Sequence, residues 1–146
     1  MTITIILEID IDKPLQEVMR FIFEPTNEPY WIAGVQESHM LSVRPIGRGS
    51  QVQRLLESDG IASEWIYEVT EFEPEGRMKL ISLSGDIPIE ISYRLEKLDD
   101  HTTRFKYTMG KKPAGIKAIV EYIKRSSERR NMIRNLHRLK DILESA

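Results

Sequence analysis

The sequence predicts an α+β domain: a seven-stranded antiparallel sheet curved around a long C-terminal helix, with two short helices between strands 1 and 2. Three observations lead there. Seven runs alternate apolar and polar residues with the period of a half-buried strand, and most are joined by turns too short for a parallel crossover. Two short helical patterns interrupt the series only once, after the first strand. The last thirty or so residues carry apolar side chains at helical spacing. No linker, low-complexity tract or internal repeat divides the 146 residues, so a single domain covers 1–146.

The first strand is read over 3–11, where Ile3, Ile5, Leu7, Ile9 and Ile11 fall on alternate positions. Asp12 then stands where a helix cap is expected, with Pro14 just inside the helix and Glu17 in its first turns. Val18, Phe21 and Ile22 form the buried stripe of that helix, and Pro25 ends it. A second short helix over 26–33 has Tyr30, Trp31 and Ile32 as its apolar content. Strands follow at 35–44, 50–58, 62–73, 77–84, 87–97 and 102–109. Asp59-Gly60 between the third and fourth is a strong hairpin signal. Pro74 with Gly76, Gly85-Asp86 and Asp99-Asp100 mark the other turns.

From 114 to 143 the chain is helical with two apolar stripes. Ile116, Ile119, Val120 and Ile123 cluster on one side, and Met132, Leu136, Leu139 and Leu143 on nearly the opposite side. One straight helix cannot bury both against the same sheet. We therefore expect a kink or restart at 125–131, favoured by Ser126-Ser127, whose hydroxyls can bond back to helix carbonyls. A straight helix would instead turn Arg125 and Glu128 toward the sheet, where each needs a partner.

Composition excludes several classes of function. The chain has no cysteine, so disulfides, thiolate metal sites and cysteine nucleophiles are impossible. No apolar run reaches the roughly 20 residues of a membrane span, and strand 1 begins too early to leave room for a secretory signal. A cytoplasmic location is the simplest expectation. The net charge of −2 hides ten Lys/Arg against two acids over 111–140. Without a nucleic-acid motif, and at a pI near 6.0, that basic segment is read as a helix complementing an acidic body, with no nucleic acid as partner. Homodimerisation stays open.

The order of elements, with particular residues, resembles the helix-grip superfamily of START-related, pollen-allergen-like and polyketide cyclase/dehydrase domains. The likeness spans the whole chain. It runs from Ile11-Asp12-Lys13-Pro14 with Val18 and Asn27 to Trp31, through Gly47-Arg48-Gly49-Ser50 and Tyr67-Glu68-Val69-Thr70-Glu71-Phe72-Glu73-Pro74, to Thr103-Arg104-Phe105 and Leu139-Lys140-Asp141-Ile142-Leu143-Glu144. The resemblance implies an apolar cavity between sheet and last helix. It does not imply an activity, because such domains serve as carriers, aromatase/cyclases, oxygenase subunits and chaperone cofactors.

Chemistry-bearing residues are few. His39, His101 and His137 are not at metal-ligand spacing from one another or from carboxylates, so neither a metal nor a cofactor is expected. His39, on a strand, is the better proton-transfer candidate of the three, and is read as an ordinary strand residue. Gly47-Arg48-Gly49 lacks the spacing of a phosphate loop, no GxSxG elbow occurs, and no catalytic residue is assigned. The candidates for ligand contact are Trp65, Tyr67, Tyr93, Tyr107 and Met109, aligned with the apolar alternation, together with Arg54 and Arg125. Arg54 lies between Val52 and Leu56 on an apolar strand face, so it needs a partner. An internal acid such as Glu71 is the expected one, and a carboxylate ligand the alternative. Arg125 is the candidate anchor for an anionic head group if the helix is straight. Two functions follow: binding of a small lipid-like or aromatic molecule, or a cyclase/dehydrase-like reaction in the same cavity.

Overall fold

Alternation becomes a seven-stranded antiparallel sheet in the computed structural model, which describes all residues 1–146. The strands are β1 (Ile3–Ile11), β2 (Val35–Met40), β3 (Gln51–Ser58), β4 (Ile61–Glu73), β5 (Arg77–Ser82), β6 (Ile89–Asp99) and β7 (Thr102–Lys111). Their spatial order is β1-β7-β6-β5-β4-β3-β2. The first two strands in sequence are thus the two edges of the sheet. The chain between them, carrying α1 (Leu15–Ile22), a 3₁₀ turn (Pro25–Asn27) and α2 (Glu28–Trp31), joins those edges. Register breaks at Val35/Glu37, Val69/Glu71 and Lys97/Asp99 are bulges, which bend the strands that carry them.

Local chemistry accounts for the turns and the helix starts. Asp59 and Gly60 both have positive φ, 52° and 76°, as a tight two-residue hairpin requires. Asp12 does not cap α1. The cap position is Pro14, without a side-chain hydrogen bond, while the Asp12 amide donates to the Glu144 carboxylate at 2.8 Å. Strand β2 ends at Met40, short of its sequence pattern over 35–44, and strand pairing resumes with β3 at Gln51.

The core lies between the inner face of the sheet and the helices. Ile11, Val18, Trp31, Val69, Phe105 and Leu139 are fully enclosed there. The C-terminal helix α3 (Ile116–Glu144) is continuous, so the expected restart at 125–131 does not occur. Ser127 does bond back, its Oγ donating to the Lys124 carbonyl at 2.9 Å, yet the helix runs on through it. The helix runs unbroken, and only one of its two apolar stripes is buried. Met132, Asn135, Leu136, Leu139 and Leu143 are buried, whereas the Ile116, Ile119, Val120 and Ile123 stripe faces outward. Continuity keeps every backbone hydrogen bond of α3, and the cost is exposed aliphatic surface on its first half.

Polar contacts fasten the second half. Asn135 Oδ1 accepts from the Ala33 amide at 3.1 Å, and Arg138 donates to the Trp31 carbonyl at 3.2 Å. Lys140 donates to the Asp10 carbonyl at 2.5 Å. The contrast between the halves of α3 can be measured. Leu139→Ala should lower unfolding free energy by about 2–5 kcal/mol, as for other buried Leu truncations. Ile123→Ala should change it by less than about 0.5 kcal/mol, as for surface positions. Urea denaturation of both variants checks this, and equal losses would place the two halves in one core.

Candidate functional site

The inner face of the sheet carries one buried ion pair. Strand register sets Ser38 of β2 opposite Arg54 of β3, and Arg54 opposite Trp65 of β4. Helix α2 then brings Glu28 down over them. Glu28 and Trp31 are three residues apart and share the buried face of that short helix. Arg54 Nε donates to Glu28 Oε1 at 2.9 Å and Nη2 to Oε2 at 2.5 Å, a two-pronged geometry suited to a carboxylate. Ser38 Oγ also donates to Glu28 Oε1. Arg54 Nη2 reaches the Tyr93 hydroxyl at 3.3 Å, and its guanidinium carbon lies 4.9 Å from the centre of the Tyr67 ring.

Glu71 is therefore not the partner of Arg54. It sits on the outer face beside Arg77, at 3.7 Å. The outward position follows from the bulge at Val69/Glu71, which breaks the simple inside-outside count along β4. Sequence reasoning missed Glu28, although the fixed spacing to a large buried aromatic was a usable signal. An acid on the same helical face as Trp31 had to be buried and therefore paired.

Burial and charge together set the protonation states. Burial opposes the charge on Arg54, but Glu28 outweighs it, so the guanidinium is held more firmly protonated than usual. Desolvation pushes the Tyr93 hydroxyl up to about 12, and raises Tyr67 and Tyr107 in the same direction. All three phenols stay neutral donors. With Arg54 and Glu28 cancelling, the aromatic interior carries no net charge.

The predicted ligand residues divide in two. Tyr67, Tyr93, Tyr107 and Met109 are buried on the inner face, and Tyr93 packs against Tyr107, with ring centres 6.0 Å apart. Trp31 and Phe105 complete the aromatic group from the other side, their rings edge-on at 6.1 Å. The Trp31 indole nitrogen is buried without an acceptor. Trp65 lies nearer the rim, stacked on Tyr67 at 6.3 Å, and borders a recess of about 340 Å³. Ile87, Ile116, Val120 and Glu121 share that recess, which separates the start of α3 from the sheet.

Beneath the first half of α3, Lys111 donates to Glu121 at 3.1 Å and to Glu128 at 2.6 Å. Glu128 thus finds the partner that a straight helix demanded. Arg125 is engaged within its own turn of the helix. Its Nη1 donates to the Tyr122 carbonyl at 2.6 Å, and its guanidinium lies 3.5 Å over the Tyr122 ring. The histidines stand apart from the site: His39, His101 and His137 are all exposed.

Two measurements test this arrangement. Glu28→Gln, which strands a buried guanidinium, should cost about 3–5 kcal/mol. The double variant Glu28→Leu with Arg54→Met should recover most of that loss, and additive losses would mean the pair is not coupled. Tyr93 gives a pH dependence. Its folded value, about 12, is raised above its ordinary 10.0. The stability it contributes is therefore full below pH 10 and is lost as pH rises from 10 toward 12. Urea midpoints over that range should fall less steeply for Tyr93→Phe than for the parent chain.

No protein-family model matches the chain, and no curated protein matches it in sequence. Solved structures do match in shape. The Zhui aromatase/cyclase from Streptomyces sp. R1128 superposes with a TM-score of 0.77 at 13% identity, covering 99% of this chain and 94% of that one. A START superfamily protein from Mycobacterium smegmatis gives 0.77 at 14% identity, with 97% of each chain covered. Ara h 8.0201 gives 0.69 at 12% identity over the full length of both. Such likeness in shape at so little identity carries the fold and not the activity. The chain has the helix-grip architecture that these START, aromatase/cyclase and Ara h 8 structures share, as its own sequence led us to expect.

Proposed function

We propose that the protein binds a small, uncharged hydrophobic molecule, lipid-like or aromatic, between the sheet and α3, and that it works in the cytoplasm. The observation that carries this reading is the electrically neutral aromatic interior behind Trp65. Tyr67, Tyr93, Tyr107 and Met109 are packed in the core behind it, where a ligand entering past Trp65 would meet aromatic rings and a few hydroxyls. The unpaired Trp31 indole N–H favours a ligand that carries an acceptor oxygen. Because Glu28 already satisfies Arg54, a carboxylate placed beside it would enter an apolar setting without a counter-charge. Neutral ligands are favoured on that ground.

Entry is proposed at the rim recess, past Trp65. The Trp65 ring lies against Gly85, where an added Cβ would come within 2.6 Å of it. The second reading, ring closure or dehydration of a ketide-like substrate, draws on the aromatase/cyclase neighbour. It would need an acid-base group free to exchange a proton. Both oxygens of Glu28 are engaged by Arg54 and Ser38, which favours binding over chemistry.

Titration with Nile red, an uncharged dye, tests the proposal. We expect micromolar binding, a blue-shifted emission, and a rise in Tm with ligand concentration as binding to the folded state requires. Oleyl alcohol should displace the dye better than oleate. Gly85→Ala, by moving Trp65, should change dye affinity several-fold while the fold is retained. A chain that takes up neither dye nor alcohol, with Tm unmoved, would refute the reading.

A further inference from the structure

The outward face of the first half of α3 has a composition that the interior site does not explain. Ile116, Ile119, Val120 and Ile123 are 81%, 61%, 42% and 71% exposed, and at 100° per residue they fall within one arc about 100° wide. Lys117 and Lys124 flank that arc on one side, and Arg130 and Arg134 continue it toward the C-terminus. Lys112 stands just before the helix. The two acids of this segment, Glu121 and Glu128, are turned inward and bonded to Lys111. The outward surface is therefore aliphatic and cationic. Asp86, bonded to Lys117 at 2.9 Å, is an acid from the body that meets it.

Sign and shape identify what such a stripe fits. A second copy packed on it across a two-fold axis would bring the lysines and arginines of one chain against those of the other, which is unfavourable. An anionic lipid surface offers the opposite charge, together with an acyl boundary into which aliphatic side chains can enter. A helix with aliphatic residues on one arc and Lys/Arg at its borders lies in a bilayer interface. No helix of the protein is long and apolar enough to cross a membrane. We propose that the first half of α3 is a docking surface for anionic membranes, with Ile116, Ile119, Val120 and Ile123 inserted among the acyl chains and Lys117, Lys124 and Arg130 set against the headgroups. The stripe borders the recess at Trp65, since Ile116 and Val120 line both. Docking would therefore bring the rim of the interior site to the lipid, although the argument for docking stands whatever occupies that site.

Co-sedimentation of the full chain with vesicles tests the proposal. Vesicles of phosphatidylcholine with phosphatidylglycerol as about a third of the lipid should retain the protein, whereas phosphatidylcholine alone should not. Raising the salt should release it, because headgroup attraction between exposed charges is screened. Ile119→Glu with Ile123→Glu should weaken vesicle binding by about tenfold or more, with Tm unchanged because both sites are exposed. Lys117→Glu with Lys124→Glu should abolish the preference for anionic lipid. Equal binding to both vesicle types, or binding that neither variant alters, would overturn the proposal. So would a concentration-dependent dimer in sedimentation equilibrium that Ile123→Glu dissolves, which would make the stripe a self-interface. Capture by polyglutamate but not by vesicles would overturn it in favour of an acidic protein partner. Because Nile red uptake is measured without vesicles, failure of docking and failure of the interior site are separable.

Discussion

The ion pair between Arg54 and Glu28 constrains the inner face of this protein more than any other single contact. A guanidinium on an apolar strand face is tolerable only with a partner of matching geometry, since an isolated buried charge is strongly disfavoured. Glu28 supplies it from α2, Ser38 from β2 completes the shell of one carboxylate oxygen, and Tyr93 from β6 lies beside the guanidinium. Three elements that follow one another in sequence, α2, β2 and β3, are thereby tied to one another and to the distant β6. The pair contributes little net attraction once desolvation is counted, so its role is positional. It sets where α2 sits, and with α2 the Trp31 ring that packs on Tyr93 and Phe105.

Helix α3 answers a different constraint. Its two apolar stripes are nearly opposed, and a continuous helix can bury only one. The stripe that is buried is the one backed by specific polar contacts, through Asn135, Arg138 and Lys140. The first half keeps its backbone hydrogen bonds and turns Glu121 and Glu128 toward Lys111. Burial alone would raise the Glu121 pKa, but the hydrogen bond and charge of Lys111 hold it below the usual carboxylate range. Between the start of α3 and the sheet lies the recess lined by Ile116, Val120 and Trp65, with Trp65 stacked on Tyr67.

These two features divide the surface chemistry of the molecule. Inside, the Arg54–Glu28 charges cancel and burial keeps the tyrosines un-ionised. Outside, aliphatic residues and cations share one helical face, the pairing that anionic interfaces select. The outer face arises from one fact about α3: its inward positions are polar in the first half and apolar in the second.

The sequence by itself determined the antiparallel sheet, its hairpins and the two short helices, because each rests on local chemistry. Period-2 alternation and the Asp59-Gly60 turn act over a few residues and need no distant partner. It also showed that Arg54 required a counter-charge, because the cost of a bare buried cation depends only on its surroundings. The identity of that partner was a matter for the tertiary structure. Glu71 is nearer in sequence, but the bulge at Val69/Glu71 puts it outside, while strand register and the seating of α2 bring Glu28 within 2.9 Å. The fate of α3 was settled at the same level. The opposed stripes are legible in the sequence, and burying both would require a kink. The fold instead keeps the helix unbroken, with Glu121 and Glu128 paired on the inward side to Lys111 at the end of β7. A long-range ion pair, invisible to periodicity, thereby left four aliphatic side chains facing outward.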